Sequence, residues 1–298
     1  VDQIMYIVTR YDFVNVYHTT SELMAMWETA QLHKINSLDE FQVVFLDTHE
    51  EGILDPIWET FTGKKPIRLI DLKEHGPDIL CYRNSFFSCP ASSVRHFRYI
   101  TKTRNQANHE EQSELWVEYR EFARRKFRLL QYTPFTGTCD PIITFLLRRN
   151  YMKTNRIGKT TRKWEDENTI VQELQKLEGV QLNIVDLADL LWDEQIKLMA
   201  QTDILVGFHG AGLSQQLFLP DNSDVFEISS SHYISRVHFV LMSLWLGHEY
   251  HFYTHCRLVG SLEDVIFEDI EHFRQSIQSV ADSARIKKCK KFGNLDAE

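Results

Sequence analysis

Residues 203–220, DILVGFHGAGLSQQLFLP, set an apolar run against His209, Gly210, Ala211 and Gly212, and then return to an amphipathic pattern. The first part, DILVGF, reads as a buried strand, HGAG as a loop and LSQQLFL as a short helix. In an open α/β sheet such a strand-loop-helix passage puts the loop at the carboxyl edge of the strands, where ligands bind and where a helix start offers unsatisfied N–H groups. Gly210 and Gly212 let backbone approach an anion closely, and His209 can donate a hydrogen bond or a charge. The same spacing also suits a tight turn with an internally satisfied histidine, and spacing alone leaves both readings open.

Outward from this stretch the pattern repeats. IITFLLRR reads as a strand, ENTIVQELQKL as a helix, VQLNIVDL as a strand, DEQIKLMAQ as a helix and DVFEIS as a strand. Units of about 25 to 30 residues fit a Rossmann-like half. Upstream, IMYIVTR, Glu22 to Leu32, FQVVFLD, Ile53 to Phe61 and ILCYRNSFF alternate in the same manner. A charged, helix-prone stretch from Glu110 to Leu130 is expected to close this first series. YTPFTGTCDP, with its prolines and glycine, marks a linker at 132–141. The expected organisation is a first domain over 1–135 and a second over 141–298, with a final helix from Leu262 to Ala281 packing back across the first.

Composition bounds the function. With 298 residues and 43% hydrophobic content the chain can bury a substantial core. The formal charge of −9 argues against duplex nucleic acid as a partner, since phosphate-backbone binding needs a concentrated positive face. No run approaches the roughly 20 apolar residues that span a bilayer, and Val237 to Leu246 is interrupted by His238 and Ser243. Because VDQIMYIVTRY opens directly on a strand, the natural start is expected upstream, so membrane attachment would come only from an N-terminal anchor outside this chain. Five scattered cysteines fit neither a zinc site with paired ligands nor a disulfide scaffold, and their odd number leaves at least one free or paired outside this chain.

Several side chains can carry chemistry. Arg148 and Arg149 end the first strand of the second series and Arg162 precedes its helix, so all three can meet the 209 loop on one diphosphate, which guanidiniums match bidentately. A solvated basic turn, with Lys153, Arg156, Lys159 and Lys163, is the alternative. Glu227 ends DVFEIS and either accepts ribose hydroxyls or pairs with a neighbouring base. In the first series NVYH puts Asn15 and His18 where a strand gives way to a helix, and FLDTHEEG puts Asp47 and His49 at the next strand end. Either histidine can act as a general base near neutral pH; a helix cap or surface turn is the plainer reading, and Asp47 with His49 can also ligate a metal. HEYHFYTH is one residue short of a zinc-binding H-E-x-x-H and reads as a strand.

With these residues in view the chain resembles glycosyltransferase family 61. TDILVGFHGAGL followed by VFEIS resembles the family's glycine-rich signature and glutamate-bearing strand, FLLRR its arginine strand, and NVYH its N-x-[YF]-H motif; Arg162 ahead of DEN resembles a further family arginine, with Asp166 in place of asparagine. The flanks, among them VTRYDFVNVYHTTSE and FEISSSHYISRVHFVLMSLWLGHEYH, are most similar to the β-1,2-xylosyltransferases of N-glycan cores, and less so to the EGF-domain-specific O-linked N-acetylglucosaminyltransferases. The resemblance implies two facing Rossmann-like domains with parallel sheets (GT-B), and an inverting transfer from UDP-xylose or UDP-N-acetylglucosamine to a glycan or glycoprotein acceptor in the lumen of the Golgi or endoplasmic reticulum. It also implies no tightly bound cofactor and no required metal. Arg148, Arg149, Arg162, His209, Gly210, Ala211, Gly212, Leu213 and Glu227 then hold the donor. His18, or failing it Asp47, is the base, and Asn15, His49 and His238 touch acceptor or donor. A catalytically silent glycan- or nucleotide-binding module is the alternative of a different class.

Overall fold

The first strand, β1 (Ile4–Val8), passes through a short loop into α1 (Val16–Leu32), which starts where Asn15 caps it by accepting from the Tyr17 N–H. This is seen in a computed structural model, which describes residues 3–75, 81–82, 84–88, 113–132, 137–149 and 161–291. They fall into two compact units, Val1–Thr101 and Lys102–Glu298. In the first unit follow β2 (Phe41–Phe45), α2 (Asp55–Thr62), β3 (Ile67–Arg68), α3 (Leu69–His75) and β4 (Asn84–Phe87). The strands form a four-stranded parallel sheet of order β3-β2-β1-β4. Phe41 to Phe45 is buried throughout, as expected of a strand covered on both faces. Residues Thr19 to Trp27 of α1 are likewise all buried, and Thr20 and Ser21 satisfy their hydroxyls on the carbonyls of Val16 and Tyr17.

The second unit begins with α4 (Glu114–Lys126) and continues through β5 (Ile142–Leu146), α5 (Glu167–Leu174), β6 (Gln181–Val185), α6 (Trp192–Ala200), β7 (Ile204–Phe208), a 3-10 helix Ala211–Phe218 and β8 (Asp224–Ile228). It ends with α7 (His238–Leu246), β9 (Glu249–Tyr253), a hairpin of β10 (Cys256–Val259) and β11 (Asp264–Phe267), and α8 (Ile270–Lys291). Its five-stranded parallel sheet has the order β6-β5-β7-β8-β9. Counted within the unit this is 2-1-3-4-5, a doubly wound order whose direction reverses between β5 and β7. The α/β, parallel-sheet expectation holds in both units.

Three assignments differ from expectation, each for a tertiary reason. Helix α4 belongs to the second unit, so the division falls near 101 and not at 132–141. Its buried face is Trp116, Tyr119 and Ala123, with Trp116 stacked on Trp245 at 5.3 Å and Arg124 Nη1 donating to the carbonyls of Phe218 (2.6 Å) and Leu219 (3.0 Å). The final helix starts at Ile270, because Asp264–Phe267 pairs as β11, and it covers the second unit's own sheet: Phe273, Ile277, Val280, Ala281 and Ala284 pack with Ile143, Phe145 and Phe226. A Cys139–Cys289 disulfide ties its end to the segment before β5. Residues 211–218 wind as a 3-10 helix with Leu213 to Phe218 all buried, and the turn tightens through Leu213 N–H to the Gly210 carbonyl at 3.0 Å. No helix of the described residues is long and apolar enough to cross a membrane.

Candidate nucleotide-sugar site

The strand order reverses between β5 and β7, and the carboxyl ends of strands at such a reversal are where open α/β sheets bind ligands. Arg148 leaves β5 there and His209 leaves β7. Arg148 Nε donates to the Thr161 carbonyl at 2.8 Å, and its guanidinium lies so close to Gly210 that a Cβ at 210 would fall 2.4 Å from Nη1. The absence of a Cβ at 210 therefore lets the Arg148 guanidinium keep this position, while the φ of 171° and ψ of 170° are extended backbone that any residue adopts. Arg162 approaches from the loop before α5 with a left-handed φ of 62°. It donates from Nη1 to the His209 carbonyl at 2.8 Å and lies over the Tyr233 ring at 5.1 Å. Its Nε is buried with no hydrogen-bond partner among the described residues. Two guanidiniums thus flank one short backbone segment, an arrangement that an anion stabilises.

His209 is held from behind. Its Nδ1 meets Glu227 Oε1 at 2.5 Å, and the Tyr250 hydroxyl donates to Glu227 Oε2. Tyr233 stacks on the imidazole at 5.3 Å, Phe239 meets it edge-on at 5.1 Å, and His238, the first residue of α7, lies at 6.2 Å. With Nδ1 committed to the carboxylate, Nε2 is the nitrogen left for a ligand.

The structure redistributes several expected roles. Glu227 is 0% exposed and both oxygens are engaged, so it orients His209 and is closed to ribose hydroxyls. Arg149 turns away from Gly210 to ion-pair with Glu167 of α5 and, at 3.9 Å, with Asp189. Leu213 is a core residue whose N–H closes the 3-10 turn, while Ala211 and Gly212 remain partly exposed. Sequence reading missed Tyr233 and Tyr250, which lie among other aromatics without a distinguishing spacing, and Ser230, whose buried hydroxyl after β8 has no partner among the described residues.

In the first unit Asn15 is spent on the cap of α1. Asp47 accepts from Arg10 Nε at 3.0 Å, Arg10 Nη2 at 2.6 Å and the Arg10 and His49 N–H groups, while Arg10 Nη1 reaches Asp55 at 2.7 Å. Burial pulls the Asp47 carboxyl upward, but these bonds outweigh it and hold the pKa below the usual carboxylate range. Asp47 is thus a lock for the loop after β2 and a poor base or metal ligand. His18, in the first turn of α1, packs its ring on Tyr11 at 4.7 Å, and His49 stacks on Phe13 at 4.5 Å. Among the described residues Asp224, Glu249 and His251 are close enough to share a cation, but they lie toward the amino end of β8 and β9. Lys287 already pairs there with Asp224 at 3.1 Å and Glu249 at 2.8 Å.

Residues 12–226 match the model of the family described as Glycosyltransferase 61, and the chain belongs to that family. It is 24% identical over 265 residues to the Beta-1,2-xylosyltransferase RCN11 of Oryza sativa subsp. japonica, covering 82% of this chain and 48% of that protein. The EGF domain-specific O-linked N-acetylglucosamine transferase of Canis lupus familiaris is 25% identical over 217 residues, covering 72% and 38%. The Beta-1,2-xylosyltransferase of Arabidopsis thaliana is 23% identical over 282 residues, covering 82% and 50%. The chain thus spans half or less of the length of these relatives.

Proposed function

We propose that this chain transfers a sugar from a UDP-sugar to an acceptor hydroxyl with inversion, and specifically xylose from UDP-xylose in β-1,2 linkage to the core mannose of N-glycans. The observation that carries the donor half is the convergence of Arg148, Arg162 and the Glu227-backed His209 on Gly210 at the β5/β7 reversal. In the proposed step the acceptor oxygen attacks the anomeric carbon from the face opposite UDP and gives up its proton to a base. The bond to the diphosphate oxygen breaks, and the electron pair leaves with UDP. The two guanidiniums neutralise that developing charge, and His209 adds to them as the imidazolium, donating from Nε2 while Nδ1–H is held by Glu227, the work for which other transferases recruit a metal. His18 is proposed as the base, and the fold is proposed to be of the GT-B type; Asp47, tied to Arg10, is set aside.

The xylosyl assignment rests on the flanking stretches and on the 82% of the chain that aligns with the rice and Arabidopsis xylosyltransferases. The Cys139–Cys289 disulfide supports folding in an oxidising lumen. A donor screen by UDP release tests the reading. Release with UDP-xylose and a free N-glycan is expected. Release with UDP-N-acetylglucosamine and none with UDP-xylose would overturn the donor assignment. A UDP-induced rise in Tm with no donor consumed would identify a binding module instead.

A further inference from the structure

The first unit has a reversal of its own. In the order β3-β2-β1-β4 the direction changes between β1 and β4, and the loop leaving β1, residues 9–15, stands at the carboxyl side of that point. Tyr11 projects from this loop with 80% of its surface exposed. A ring left in water forgoes the stabilisation that burial would give it. Its backbone is nevertheless anchored. The Tyr11 N–H donates to Glu22 Oε1 at 3.0 Å, and the ring packs on His18 at 4.7 Å. Glu22 is 5% exposed and lies one helical turn beyond His18, so α1 presents both to the same loop. Burial, only partly offset by the Tyr11 N–H and by Arg10, and reinforced by Asp47 and Asp12, pushes the Glu22 carboxyl up to about 7. An apolar residue at 22 would avoid that cost but leave the Tyr11 backbone unanchored. The combination recurs next door: Phe13 stacks on His49, and Arg10 joins the two, lying over Phe13 at 5.4 Å and donating to the His49 carbonyl at 3.3 Å.

An exposed aromatic face beside an imidazole suits a sugar ring. The apolar C–H face of a pyranose lies on the aromatic plane, and the imidazole nitrogens reach a neighbouring hydroxyl. Resting on the glycosyl-transfer reading above, we propose that Tyr11, flanked by His18 and anchored through Glu22, is the platform for an acceptor pyranose. The hydroxyl that attacks is then carried by a carbohydrate, and not by a serine or threonine of a peptide. Glu22 acts as a positioning residue: it touches the loop and leaves the sugar to Tyr11 and His18.

The test is saturation-transfer NMR on the full chain with saturating UDP, using a free branched mannose-terminated oligosaccharide and, separately, a Ser/Thr peptide. The expected result is saturation of the protons on one pyranose face, retained in Tyr11→Phe and weakened at least tenfold in Tyr11→Ala. Glu22→Ala should raise KM for the oligosaccharide severalfold with little change in kcat, and Glu22→Gln, which keeps an acceptor for the Tyr11 N–H, should restore it. Wild-type affinity in Tyr11→Ala, no transfer to the oligosaccharide, or engagement of the peptide alone would overturn the proposal. UDP titrated in parallel separates the two claims. Retained UDP binding with a failed platform leaves the donor reading standing, and absent UDP binding overturns the donor reading by itself.

Discussion

Replacing Gly210 by alanine separates what the 209 loop does for the fold from what it does for a ligand. The extended backbone at 210 admits an alanine, but its Cβ would meet Arg148 Nη1 at 2.4 Å, about 1 Å inside ordinary contact. The atom that must yield is the tip of a long flexible side chain, so the relocation costs less than about 1 kcal/mol and lowers Tm by less than about 4 °C. The ligand is affected far more. A displaced guanidinium forfeits one or two charge-assisted hydrogen bonds to a diphosphate, about 1.5–3 kcal/mol each, or roughly 10- to 150-fold in Kd for the loss of one. Calorimetric titration of UDP into Gly210→Ala and Arg148→Ala, with Tm measured alongside, checks both numbers. The two variants should be similarly impaired and both well folded. UDP affinity within twofold of wild type in Gly210→Ala, or a collapse of Tm, would refute the assignment of this glycine to anion access.

Three further outcomes are expected. Asp47→Asn should destabilise the first unit by about 1.5–3 kcal/mol, because it weakens the charge-assisted bonds to the buried Arg10 and leaves Asp55 as its remaining carboxylate; chemical denaturation measures this. The Glu22 carboxyl is raised from 4.5 to about 7 in the folded chain, so the unfolded chain ionises first, and stability present below about pH 4.5 is lost as pH rises through 7. That loss amounts to about 3 kcal/mol, and Glu22→Gln should remove it, raising Tm at pH 8 and not at pH 4. Reducing the Cys139–Cys289 bond, which closes a separation of 150 residues, should cost up to about 5 kcal/mol in the loop-entropy limit, read as a lower Tm in dithiothreitol that Cys289→Ser abolishes.

The strands and their parallel pairing were legible because a strand buried on both faces needs an unbroken apolar run, as in Phe41–Phe45 and Ile204–Phe208. The 209 loop was legible as a candidate because a histidine and two glycines follow such a run, but a tight turn with an internally satisfied histidine fitted the same spacing. Partner choice was hidden. Arg148 and Arg149 are adjacent, and only the packed α5 decides that one faces Gly210 and the other Glu167. Glu227 ends a strand, as a ribose-binding carboxylate would, but Tyr250 on the neighbouring β9 closes it off. Helix α4 carries an amphipathic pattern that any hydrophobic surface would satisfy, so its docking on Trp245 could not be read from spacing. Tyr11 and Glu22 are eleven residues apart, and the hydrogen bond that links them exists only once β1 and α1 have packed.

The most direct measurement is a crystal structure of the chain with UDP bound. The diphosphate should lie within hydrogen-bond distance of the Arg148 and Arg162 guanidiniums and of His209 Nε2, against Gly210. Density for UDP elsewhere would contradict the central claim, for instance in the cavity of about 440 Å³ lined by Asp203, Asn222, Lys287 and Lys291 at the opposite edge of the same sheet.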